Sequence, residues 1–174
     1  MAGHRPIPIR TIVESGLCIG CGLCVPIGGA ENVRMQMTET GVERPAERSA
    51  VTGPPLELIN EVCPGLHVAV SPDEGSAVDP AWGPIHRIAK GHAVDAEVRH
   101  RAASGGVLTA LGRFLVDSGR VDRVLHVGAV EADPLSWEAK LSTNAAEVLD
   151  RSGSRYGPAA PLVRLVEAID QPVL

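Results

Sequence analysis

The sequence predicts a mixed chain of the α+β and α/β kind: a small cysteine module over residues 1–78, then the first part of an α/β layer over residues 79–174. Three observations predict it. All four cysteines fall between Cys18 and Cys63. Residues 71–80, SPDEGSAVDP, are polar and punctuated by prolines, which marks a boundary. Beyond them, apolar stripes at helical spacing alternate with a β-branched run, the pattern of helices laid on strands.

Each element follows from its residues. Residues 14–29, ESGLCIGCGLCVPIGG, are too rich in glycine for a helix and read as loop. Val33, Met35 and Met37 alternate with polar residues and Thr40-Gly41 supplies a turn, so a short hairpin runs to about Arg44. Pro54-Pro55 precedes one or two helical turns from Leu56 to Val62, which stop at Cys63-Pro64-Gly65. In the second half, Ser104-Gly105-Gly106 opens a helix whose apolar stripe is Val107, Leu108, Leu111, Phe114 and Leu115. Gly119 is its stop. Val121 to Val130 is β-branched and reads as a buried strand. Asn144-Ala145-Ala146-Glu147 has the form of a capping box. Leu162, Val163, Leu165, Val166 and Ile169 make a further helical stripe, and Pro172-Val173-Leu174 starts a strand.

Composition excludes several function classes. The chain has 174 residues, 44% hydrophobic and 21% charged, which is ordinary for a globular protein. A net charge of -5 and 2% aromatics leave neither a basic face nor a stacking platform for nucleic acid. The N-terminus MAGHRPIPIRTIV lacks the apolar core of a secretory signal. No apolar run reaches the length of a transmembrane segment, so a cytoplasmic location is expected.

Cys18-Ile19-Gly20-Cys21-Gly22-Leu23-Cys24 is the C-x-x-C-x-x-C run of bacterial-type ferredoxins. Three thiolates must converge on three irons at the corners of one cube, which forces the backbone to wrap tightly. Gly20 and Gly22 permit the dihedrals this demands, and the N–H groups around them can face the cluster sulfurs. Cys63-Pro64 supplies a remote fourth thiolate, so one [4Fe–4S] cluster uses every cysteine as metal ligand. Tetrathiolate zinc ordinarily appears as two separated pairs, which a triplet and a singleton fit poorly. Disulfides are disfavoured by the crowding of the triplet. His67 is the alternative fourth ligand.

Two loops open helices. At Ser104-Gly105-Gly106, free N–H groups and the helix dipole could receive an anion, and the glycines admit a phosphate or a flat ring. The competing reading is an ordinary cap with Ser104 as capping residue. Ser154-Arg155-Tyr156-Gly157-Pro158 is the second loop, whose competing reading is a turn with Tyr156 packed as its aromatic.

These pieces resemble the N-terminal portion of the coenzyme F420 hydrogenase/dehydrogenase beta-subunit family. The matching segments are CIGCGLC, the isolated CPG, WGPI at Trp82 to Ile85, AVDAEVRHRAASGGVLTALGRFLVDSG, VDRVLHVG and SRYGPA. Together they cover most of the chain from about residue 12 onwards. The resemblance implies an iron–sulfur flavoprotein oxidoreductase. In it, FAD sits beside a [4Fe–4S] cluster, and coenzyme F420 or another hydride carrier is the substrate. Carried over by position, Cys18, Cys21, Cys24 and Cys63 match cluster ligands, and Ser104, Gly105 and Gly106 match the flavin block. Ser154, Tyr156, Gly157 and Pro158 match a second loop near the same pocket. Electron relay with a redox partner protein or subunit follows. Family members are longer, so the resemblance also implies a flavin domain truncated at its C-terminal end. Its open sheet edge would favour self-association. The competing class is a non-catalytic ferredoxin-like electron-transfer subunit that binds only the cluster. No residue is singled out as a catalytic acid or base.

Overall fold

The computed structural model describes residues 5–69 and 77–169. The expected strand at Pro172 to Leu174, and residues 71–76 of the expected boundary, lie outside the described residues.

The first region is built around one small core. Helix α1 (Ile9–Glu14) buries Ile9 and Ile12. Helix α2 (Cys24–Gly28) follows the cysteine loop. Strands β1 (Val33–Met37) and β2 (Glu43–Glu47) form an antiparallel hairpin in which Val33 faces Glu47 and Met37 faces Glu43. Helix α3 (Pro54–Val62) starts on a proline, where the missing N–H costs nothing, and buries Leu56 and Ile59. Ile9, Val33, Val51, Leu56 and Ile59 pack as one cluster, with Cys24, Val25 and Ile27 against it. The Asn60 amide closes this region. It accepts from the Ile7 N–H (2.7 Å) and donates to the Ile7 carbonyl (2.9 Å), tying the entering chain to α3.

Three expectations change here. Residues 24–28 are helical rather than loop, because Pro26 lies in the first turn, where its missing N–H needs no partner. The hairpin extends to Glu47, past Arg44. Helix α1 has no counterpart in the sequence reading, since six residues are too few to show a periodic pattern.

Strands β3 (Ala77–Asp79) and β4 (Gly83–Ile85) make a second, short hairpin. Helix α4 (Ala96–Arg101) is capped by Asp95, whose carboxylate accepts from the Glu97 and Val98 N–H groups. A 3-10 turn (Ala103–Gly106) leads into helix α5 (Val107–Asp117). Strands β5 (Val124–Val130) and β6 (Asp133–Ser142) pair antiparallel, and helix α6 (Ala145–Asp150) follows. A 3-10 turn (Pro161–Arg164) and helix α7 (Leu165–Ile169) end the described chain.

The expected α/β layer is therefore corrected to α+β. Among the described residues, every strand pair is antiparallel and each sheet has two strands. Only Glu131 and Ala132 connect β5 to β6, whereas a parallel crossover needs about a dozen residues. The α5 stripe is also not the core it promised. Leu108 is 84% exposed, and Leu111 and Phe114 are about half exposed. The helix touches its neighbours through Gly112, which lies against Val148 and Val124. Ala93, Val98 and Leu149 form the buried cluster of this region.

Candidate functional site

The four cysteines meet. Cys18, Cys21, Cys24 and Cys63 line one largely apolar recess of about 460 Å³, its open mouth included, together with Ile9, Ile12 and Ile59. All four thiols are free and half-buried. Cys24 opens α2. Cys63 sits where α3 ends, its N–H still bonded to the Ile59 carbonyl (2.9 Å) while its backbone turns extended. His67 donates its backbone N–H to Cys63, but its side chain is exposed and does not line the recess.

The loop between the cysteines is held from two sides. Gly20 has φ +76° and lies on the Glu43 carbonyl, where an added Cβ would come to 2.7 Å. Gly22 has φ +83° and lies on Val163 and Ala160, with contacts of 2.6 and 2.9 Å for the same added atom. Both the left-handed backbone and the close approach exclude a side chain at these positions. The Leu162 N–H donates to the Cys21 carbonyl at 2.9 Å. A segment far along the chain thus clamps the cysteine loop.

The recess resists ionised thiols. Burial, then charge on Cys21 and Cys18, pushes Cys24 up to about 12. Burial is likewise the main reason that the Cys21 thiol is raised. Thiolates here need a compensating cation. Among the described residues, no three of the Cys, His, Asp and Glu side chains gather as closely as a single metal ion requires.

The glycine turn is left-handed throughout. Ser104 has φ 51°, Gly105 79° and Gly106 81°. This corrects the cap reading. The N-cap of α5 is Gly106, and no side chain caps the helix. Gly106 is buried, and a Cβ there would meet Val98 at 3.0 Å and Ala93 at 3.2 Å. Gly105 backs onto His92, and its carbonyl accepts from the Ala93 N–H. Ser104 faces outward onto an open recess of about 880 Å³, walled also by Thr109, His126, Arg151, Gly153 and Arg155.

The second loop divides its residues. Tyr156 and Pro158 line a different recess, against Ile19, Gly20 and Arg44 of the cysteine region. Tyr156 is 94% exposed, so it is not the packing aromatic of a turn. Gly157 instead packs directly on the Trp137 indole. Ser154 is exposed and lines neither recess. The loop therefore runs from the glycine turn to the cysteine loop.

Residues 88–167 match the family model described as coenzyme F420 hydrogenase/dehydrogenase, beta subunit N-term. A chain of the F420-reducing [NiFe] hydrogenase complex from Methanosarcina barkeri, in a xenon-derivatised structure, is similar at 25% identity with a TM-score of 0.42. The match covers 44% of the present chain and 26% of that one. No curated protein matches the chain. No helix among the described residues is long and apolar enough to cross a membrane.

Within residues 88–167, the sequence reading missed His126, Trp137, Ser142 and Arg151. The first three lie on β5 and β6, and β6 was not read as a strand although Trp137, Ala139 and Leu141 alternate with polar residues. That alternation was the signal.

Proposed function

We propose that this chain contributes to an iron–sulfur flavoprotein oxidoreductase, with a cluster module over residues 1–78 and a flavin-binding part over 79–174. The proposed route runs between a hydride carrier such as reduced F420, FAD, and a [4Fe–4S] cluster held by Cys18, Cys21, Cys24 and Cys63, then on to a redox partner subunit. The observation that carries it is the convergence of Cys63 on the Cys18–Cys24 loop in one apolar recess, joined to a segment that matches the F420 beta-subunit family model. When bound, a flavin supplies two-electron hydride exchange and the cluster supplies one-electron steps.

The residues have separable tasks. The four thiols offer ligands within a largely apolar recess. Gly20 and Gly22 bring backbone close to the same space. Ser104 and the recess beside it offer room and polar groups for part of the flavin, and Tyr156 stands between that side and the cysteine loop.

The test is anaerobic. Chain reconstituted with iron, sulfide and FAD, then desalted, should keep both a cluster and flavin absorbance. Adding reduced F420 should bleach both. An intact cluster with no flavin retained would favour the flavin-free electron carrier. Flavin retained and reduced while the cluster stays oxidised would contradict the relay.

A further inference from the structure

Two residues lining the recess beside Ser104, His126 and Arg151, belong to a buried polar chain that neither the cysteine pattern nor the family match accounts for. Ser142 is fully buried on β6. Its Oγ lies 2.7 Å from Arg151 Nη1 and 2.7 Å from His126 Nε2. Arg151 also donates to the Leu141 carbonyl at 2.8 Å. In the β5–β6 register, Val124 faces Ser142 and His126 faces Lys140, so His126 and Ser142 are diagonal neighbours on one face.

Hydrogen-bond accounting favours one arrangement of the protons. A guanidinium can only donate, so Ser142 Oγ accepts from Arg151. The hydroxyl then has one proton to place, and a buried donor left unpaired is costly. His126 Nε2 is the acceptor within reach. The imidazole proton is thereby left on Nδ1. Ser142 occupies Nε2, which leaves Nδ1 for the recess that His126 lines.

We propose that His126 is a ligand-contacting residue of this recess. Ser142 and Arg151 act as positioning residues that hold it as a neutral Nδ1–H imidazole, so that it donates to a carbonyl or phosphate oxygen of the bound molecule. The inference rests on the flavin reading for the identity of that molecule. The charged groups around the ring are Arg151 and Glu147 from the α6 side, Lys140 across the sheet, and Arg155 on the recess wall. Burial and then the Arg151 charge lower the His126 pKa, opposed by Glu147, and so favour the neutral ring.

Nitrogen NMR on histidine-labelled chain tests it, with His126→Asn used to assign the signal among the six histidines. At pH 7, Nε2 should be unprotonated and Nδ1 protonated. Ser142→Ala should shift the ring toward the other tautomer. FAD should then move the Nδ1 signal. His126→Leu should weaken FAD binding about tenfold, the worth of one good hydrogen bond, and His126→Asn should restore part of it. A charged ring, or an Nε2–H tautomer, would overturn the proposal whether or not flavin binds. FAD uptake that leaves the Nδ1 signal unmoved would overturn the contact. If FAD does not bind at all, the flavin reading falls, and the tautomer is still decided on the ligand-free chain.

Discussion

At the scale of single residues, two left-handed glycines separate strain from contact. Gly16 has φ +74° with open space around it, whereas Gly22 has φ +83° against Val163 and Ala160. Gly16→Ala should cost only the backbone term, about 1 kcal/mol. Gly22→Ala adds overpacking and should cost about 3 kcal/mol, together with cluster retention. Chemical denaturation of the two variants side by side checks the difference, and equal losses would contradict it. His126 gives a pH dependence. Its pKa is lowered in the folded state, so the unfolded chain takes up its proton first as pH falls. Its contribution is full above the ordinary value of about 6.5 and declines below it. The wild type should therefore lose stability between about pH 7 and pH 5.5 more steeply than His126→Asn. Parallel pH profiles would contradict this.

At the scale of elements, local chemistry was legible where a short motif acts on its own neighbours. Glu147 N–H donates to Asn144 Oδ1 at 2.9 Å, and the Glu147 carboxylate accepts from the Thr143 N–H, as the expected capping box requires with a shift of one residue. Asn144→Ala should lower stability by about 1 kcal/mol in thermal unfolding. The glycine turn was not legible in the same way. Whether Ser104 caps α5 depends on φ at three successive residues, and all three are left-handed. Gly106 is fixed by Val98 and Ala93, so a leucine there would collide with protein before meeting any ligand. Leu108 is the better probe, being exposed and on the recess wall. Leu108→Gln should change stability by less than about 0.5 kcal/mol, which makes any loss of FAD affinity attributable to the recess. The α5 stripe illustrates the converse. Its period gives a helix, but period does not say what covers Leu111 and Phe114, and they stay half exposed.

At the scale of the whole molecule, the fold lines one recess with the cysteines of the loop before α2 and of the end of α3. What spacing could not predict is the clamp from residues 160–163, since nothing in CIGCGLC names its distant neighbour. That clamp links the cysteine loop to β6, where Arg164 reaches the Ala139 carbonyl. Filling the cysteine site should steady the loop and the Leu162 N–H bonded to it. Stripping the cluster should speed hydrogen exchange at Leu162 by about tenfold or more, while Val148 in α6 stays unchanged. Equal exchange at Leu162 in both states would mean that the two regions are not coupled. The central claim concerns the four thiols themselves, and iron and acid-labile sulfide counted on anaerobically reconstituted chain test it most directly. About four of each per chain are expected, with a marked loss in Cys63→Ala, because a cubane needs the remote ligand. One zinc per chain with no labile sulfide would contradict it.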